Sequence, residues 1–82
     1  MYLQIGTDKF IETENIIAVL DLDNTTVSKA TREYLNNAQK QNEVETVSFD
    51  LPKSFIVCEE QGKRKIYISA LNTATIYKRW IR

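Results

Sequence analysis

The 82-residue sequence has no histidine, one cysteine, one proline and two glycines. Each shortage removes a class of function. Without histidine, the commonest general base near neutral pH and the commonest metal ligand are both missing. The lone Cys58 cannot form an intrachain disulfide, which points to a reducing compartment. It also has no histidine to activate it, so it reads as a packed side chain within an apolar run rather than a nucleophile. Gly6 and Gly62 fall at separate turns and cannot form a glycine-rich phosphate cradle. No apolar run approaches the roughly 18 residues of a membrane span. The opening MYLQIGTDKF lacks the basic region and apolar core of a signal peptide. The expected location is the cytoplasm, with no membrane partner, no cofactor and no small-molecule substrate.

Hydrophobic residues make up 43% of the chain and charged residues 27%, the balance of a folded globular domain. The length allows one domain, residues 1–82, with a thin core. Net charge is zero but unevenly placed. Residues 63–82 carry Lys63, Arg64, Lys65, Lys78, Arg79 and Arg82 and no acid, whereas the other 62 residues hold five bases and eleven acids. Such asymmetry suits an anion-binding face, or an acidic surface of one subunit meeting a basic surface of the next.

Periodicity gives the order of elements. YLQI and KFIE flank a turn at Gly6-Thr7-Asp8 and read as two short strands. NIIAVLD is a nearly continuous aliphatic run, the pattern of a strand covered on both faces. Val27, Ala30, Thr31, Tyr34, Leu35 and Ala38 then form one helical stripe, with Asn24, Thr25 or Thr26 as its cap and Asn42 as its left-handed end. EVETVSF reads as a strand, and Pro52 holds a loop. SFIVCEE and KRKIYIS form a hairpin through Gln61-Gly62. Thr73, Ile76, Tyr77 and Trp80 lie on one side of a final helix capped by Asn72 or Ser69. The fold class is therefore α+β, a small mixed or antiparallel sheet with two helices in the order β-β-β-α-β-β-β-α. Short strands on a thin core leave edges to be paired, so self-association is expected.

One stretch suggests catalysis. IIAVLDLDNTT, residues 16–26, contains the DxDxT pattern of haloacid-dehalogenase-type phosphatases, with Asp21 and Asp23 at its acidic positions. That chemistry needs Mg²⁺ held by further carboxylates, and a cation to take up phosphoryl charge. No later pair of acids ends an apolar strand here, and hairpins replace the parallel crossovers that such a fold requires. A calcium loop counted from Asp21 would have Thr26 in place of glycine and Arg32 in place of glutamate. Both carboxylates read as the solvent-facing exit of a strand toward a helix N-terminus, and no enzyme is expected.

Four blocks together are more specific. YLQIG, IIAVLDLDNTTVSKATREYL, LPKSFIV and IYISALNTATIYKR, in that order, resemble the RemB-like (YaaB-like) branch of the Rem family of bacterial regulators of extracellular-matrix and biofilm genes. The resemblance implies a compact α+β subunit, a closed homo-oligomeric ring, and double-stranded DNA bound by basic residues on that ring. In the RemA branch, arginines before the long apolar strand and in the loop before the central hairpin contact DNA. Here those places hold Asn15, Leu51 and Pro52, and only the adjacent Lys53 is positive.

Residue chemistry offers a substitute surface made of Lys53, Lys63, Arg64, Lys65, Lys78, Arg79 and Arg82, repeated around a ring. Solvated strand ends, and a helix C-terminus complementing its dipole, account for the same cations without DNA. Tyr67, Tyr77 and Trp80 stand near these charges, where packing or a subunit interface is favoured over base stacking. The expectation is a DNA-binding transcriptional regulator acting as a ring. Its alternative is a structural or protein-interaction ring without DNA.

Overall fold

The computed structural model describes residues 1–22, 28–48 and 50–80. Strands β1 (Tyr2–Gln4) and β2 (Phe10–Glu12) are followed by a 3₁₀ turn at Thr13–Asn15 and then β3 (Ile16–Asp21). Helix α1 (Lys29–Lys40), strands β4 (Val44–Thr46), β5 (Ser54–Glu60) and β6 (Lys63–Ser69), and helix α2 (Thr73–Trp80) complete the order expected from periodicity. β1 and β2 form an antiparallel hairpin, and the main sheet runs β3-β5-β6-β4. Its β3–β5 and β5–β6 pairs are antiparallel, while β4–β6 is parallel. This α+β sheet is not the parallel α/β sheet of the dehalogenase-type phosphatases. Asp21 ends β3 at an exposed position, and Asp23 lies outside the described residues.

Local chemistry sets the joins. Gln61 (φ 54°) and Gly62 (φ 78°) both adopt the left-handed region that a two-residue hairpin join requires. α1 closes at Asn42 (φ 58°), as expected. The Glu43 N–H donates to the Ala38 carbonyl at 2.9 Å and the Asn42 N–H to the Gln39 carbonyl at 3.1 Å, the paired bonds of a Schellman end. Its start differs from expectation. The cap is Ser28, whose Oγ accepts the Thr31 N–H at 3.1 Å, and the three residues expected to cap it lie outside the described residues. On α2, Asn72 Oδ1 accepts the Thr75 N–H at 2.8 Å. Ser69, the other candidate cap, is buried and donates to the Ile5 carbonyl at 2.6 Å.

The sheet separates two cores. On one face Leu3, Ile5 and Ile11 of the hairpin and Ile76 of α2 pack on Ile56, Cys58 and Tyr67. On the other, Ala38 of α1 packs on Phe55, Val57 and Ile66, flanked by Tyr34 and Leu35. β5 is buried on both faces from Ser54 to Cys58.

β3 corrects the reading of NIIAVLD as a strand covered on both faces. It is the outer strand of the sheet, with Ile17 62% and Leu20 41% exposed. An apolar run at an edge looks like one in the interior, because composition does not record which neighbours are present. β4, the other edge, is closed within the subunit. Lys9 and Lys65 both reach Glu45 at 3.5 Å, and a Cβ at Gly6 would lie 2.6 Å from the Val47 carbonyl oxygen. The tip of the β1–β2 hairpin is thereby seated against β4.

Candidate nucleic-acid interface

The β5–β6 hairpin carries cations at both ends and divides them by function. Residues directly opposite in an antiparallel pair share a face. Glu60 opposes Lys63 and Cys58 opposes Lys65, so both lysines lie on the face of the β1–β2 hairpin. Glu59 opposes Arg64, which turns to the α1 face. The three consecutive bases therefore do not form one surface.

Two of the three are also committed inside the subunit. Arg64 Nε donates to Glu43 Oε1 at 2.9 Å, its Nη2 bonds the same oxygen, and its guanidinium stacks 4.9 Å from the Tyr34 ring centroid. The hydrogen-bonding Glu43 carboxylate raises its pKa further above the ordinary guanidinium value. Lys65 pairs with Glu45 and lies 5.8 Å from the centroid of Tyr67. Lys63 is exposed and makes no ion pair among the described residues. All three line a polar depression of about 1000 Å³, together with Asn15, Glu43 and Glu60. Glu12 joins them there, so three acids balance three bases. One of the family's DNA-contact places, Asn15, thus falls in a charge-balanced setting.

The opposite end is different. Lys53 precedes β5, and its backbone is pinned on both sides. Its N–H donates to the Ser69 carbonyl at 2.9 Å, and its carbonyl accepts the Leu22 N–H at 2.8 Å. No acid pairs with its side chain among the described residues. Arg79 of α2 is exposed, donates to the Gln4 carbonyl at 3.1 Å, and lines a depression with Ser48, Asp50 and Leu71. Lys53 and Arg79 are thus both arranged around the Ser69–Leu71 segment. Lys78 is exposed on α2, and Arg82 lies outside the described residues. The seven residues of β5 place this end roughly 20 Å from Lys63. One subunit does not bring all the expected cations together.

The aromatic candidates also divide. Tyr67 is core, 2% exposed, and its hydroxyl donates to Glu60 Oε2 at 2.7 Å. Burial and that carboxylate push its pKa upward. Tyr77 is exposed and stacks on the half-buried Trp80 at 6.3 Å.

Sequence reasoning passed over the outer side of α1. Lys29, Arg32, Asn36 and Lys40 are all exposed on the side away from the buried Ala38. Lys29 meets Glu33 at 4.0 Å, while Arg32 and Lys40 make no ion pair among the described residues. Their spacing at three and four residues was the available signal, overlooked because these bases lie outside the basic C-terminal segment.

The fold and surface define a small α+β subunit with one unsealed sheet edge and its cations dispersed over separate faces. The model of the family described as extracellular matrix regulatory protein A-like matches residues 2–80, and the chain belongs to this RemA-like family. No curated protein matches the chain. Among the described residues, no helix is long and apolar enough to cross a membrane.

Proposed function

We propose that the chain is a cytoplasmic regulator of extracellular-matrix genes, of the RemB-like branch, that binds duplex DNA as a ring-shaped homo-oligomer. The observation that carries the DNA reading is Lys53, a cation without an acidic partner among the described residues, held in a loop fixed by two backbone hydrogen bonds. Arg79 and Lys78 add positive charge on α2, and Lys63 adds it at the far end of the sheet. Contacts of this kind go to phosphates, so affinity falls steeply with salt and base sequence is read weakly. A ring repeats each contact and turns single weak cations into a continuous track. Family membership over residues 2–80 supports the regulatory role.

A second reading, a protein-interaction ring without DNA, is favoured by the neutral Asn15 and by the ion pairs that occupy Arg64 and Lys65. Fluorescence anisotropy of a labelled duplex at two salt concentrations separates them. The DNA reading predicts saturable, salt-sensitive binding that Lys53→Glu weakens about tenfold or more while leaving oligomer mass unchanged. No binding at low salt by a protein of intact mass would establish the second reading.

A further inference from the structure

Two apolar surfaces are left uncovered, and they face away from each other. The first is a cleft of about 360 Å³ between the β3 edge and α1, lined by Ile17, Ala18, Leu20, Ala30, Tyr34 and Val57 among others. The second is the outward side of the β1–β2 hairpin, where Tyr2 is 68% and Phe10 56% exposed. Leu3 and Ile11 face the core, so their neighbours along each strand must face out. The hairpin and α1 lie on opposite faces of the sheet, so a subunit cannot fill its own cleft with its own hairpin.

We propose that the β3–α1 cleft is the docking site for the Tyr2–Phe10 face of the β1–β2 hairpin of a second copy of this chain. The proposal rests on the ring reading above and names the surfaces that would build it. Charge complementarity selects the occupant. The hairpin segment, residues 1–15, carries Asp8, Glu12 and Glu14 against Lys9, and Lys9 is turned to Glu45. The α1 wall of the cleft carries Lys29, Arg32 and Lys40 against Glu33. An apolar centre is thus rimmed by opposite charges on the two partners, the anatomy of a specific interface.

Scale agrees with this assignment. Two aromatic side chains exposed to this degree offer roughly 250 Å². That is about a third of the ~800 Å² that each partner contributes to a standard interface. Tyr34, on the cleft wall, is already fixed by the guanidinium of Arg64 against its ring. Because the two surfaces differ, the contact is head-to-tail, and repetition closes into a ring where the rotation permits.

Sedimentation velocity on wild type, Ile17→Glu, Phe10→Lys and a 1:1 mixture of the two variants tests it. Each substitution puts a charge of the rim's repelling sign at the apolar centre. Wild type should sediment as a multi-subunit particle and each variant alone as one subunit. The mixture should form a particle of two subunits and no more, because it retains one intact cleft and one intact hairpin. Circular dichroism checks folding, and Leu20→Glu with Tyr2→Lys provides a second pair. A wild-type oligomer that persists in both variants would overturn the proposed contact and leave the ring reading standing. So would variants that dissociate but fail to recombine. A wild type that stays a single subunit at every concentration would remove both.

Discussion

β4 is three residues long, has Glu45 bridged by two lysines, and is backed by a hairpin tip that Gly6 allows to approach within backbone contact. β3, at the other side of the same sheet, is six residues long, almost wholly aliphatic, and exposes Ile17 and Leu20. A short, charged and covered edge resists further pairing, whereas a long apolar one invites it. The difference teaches where assembly belongs. The subunit uses its own residues to finish one edge and leaves the other for a neighbour. The cations follow a related division: Arg64 and Lys65 are neutralised within the subunit, while Lys53 at the other end of the hairpin is not.

The largest effect should come from unsealing β4. Gly6→Ala would place a methyl group 2.6 Å from the Val47 carbonyl, and backbone must shift to accept it. Overpacking of this kind costs about 1–3 kcal/mol. Chemical denaturation should show that loss; an unchanged midpoint would mean that the hairpin tip does not close this edge.

Cys58 tests whether β3, though open, stays folded over its neighbour. The thiol sits on β5 opposite Ile16 of β3 and is fully buried. Burial, with a smaller effect from Glu60, pushes it from the ordinary 9.0 up to about 11. The unfolded thiol therefore releases its proton first as pH rises. This contribution to stability is complete below pH 9 and is lost progressively toward pH 11. Native protein should resist iodoacetamide near pH 8 and react on unfolding. Rapid labelling of native protein would show that β3 frays.

A smaller effect should follow Glu45→Gln, which removes both lysine pairs from β4. Partly exposed pairs contribute about 0–1 kcal/mol, so stability should change little. The substitution also releases Lys9 and Lys65, and under the DNA reading anisotropy should report tighter duplex binding. Weaker binding would contradict the view that these lysines are neutralised.

Much of the fold was legible because its signals are local. The change of period after β3, the left-handed Asn42, the Gln61-Gly62 join and the Asn72 cap each depend on a few neighbouring residues. The limits of β5 and β6 coincide with the two apolar runs that announced them. β3 was legible as a strand and illegible as an edge, since sheet order depends on long-range pairing. The candidate site was legible only in part. Lys53 stood out beside Pro52, but the Arg64–Glu43 and Lys65–Glu45 pairs join residues about twenty positions apart in sequence, which no spacing rule connects. Facing direction was readable in principle: alternation along β6 already separates Arg64 from Lys63 and Lys65.

Hydrogen exchange of the β3 amides across a range of protein concentrations tests most directly whether that edge is completed by another copy. The account predicts that protection across Ile16–Asp21 rises with concentration as subunits associate, while protection of β4 stays constant. Protection of β3 that is independent of concentration, in a protein whose mass does increase, would contradict it.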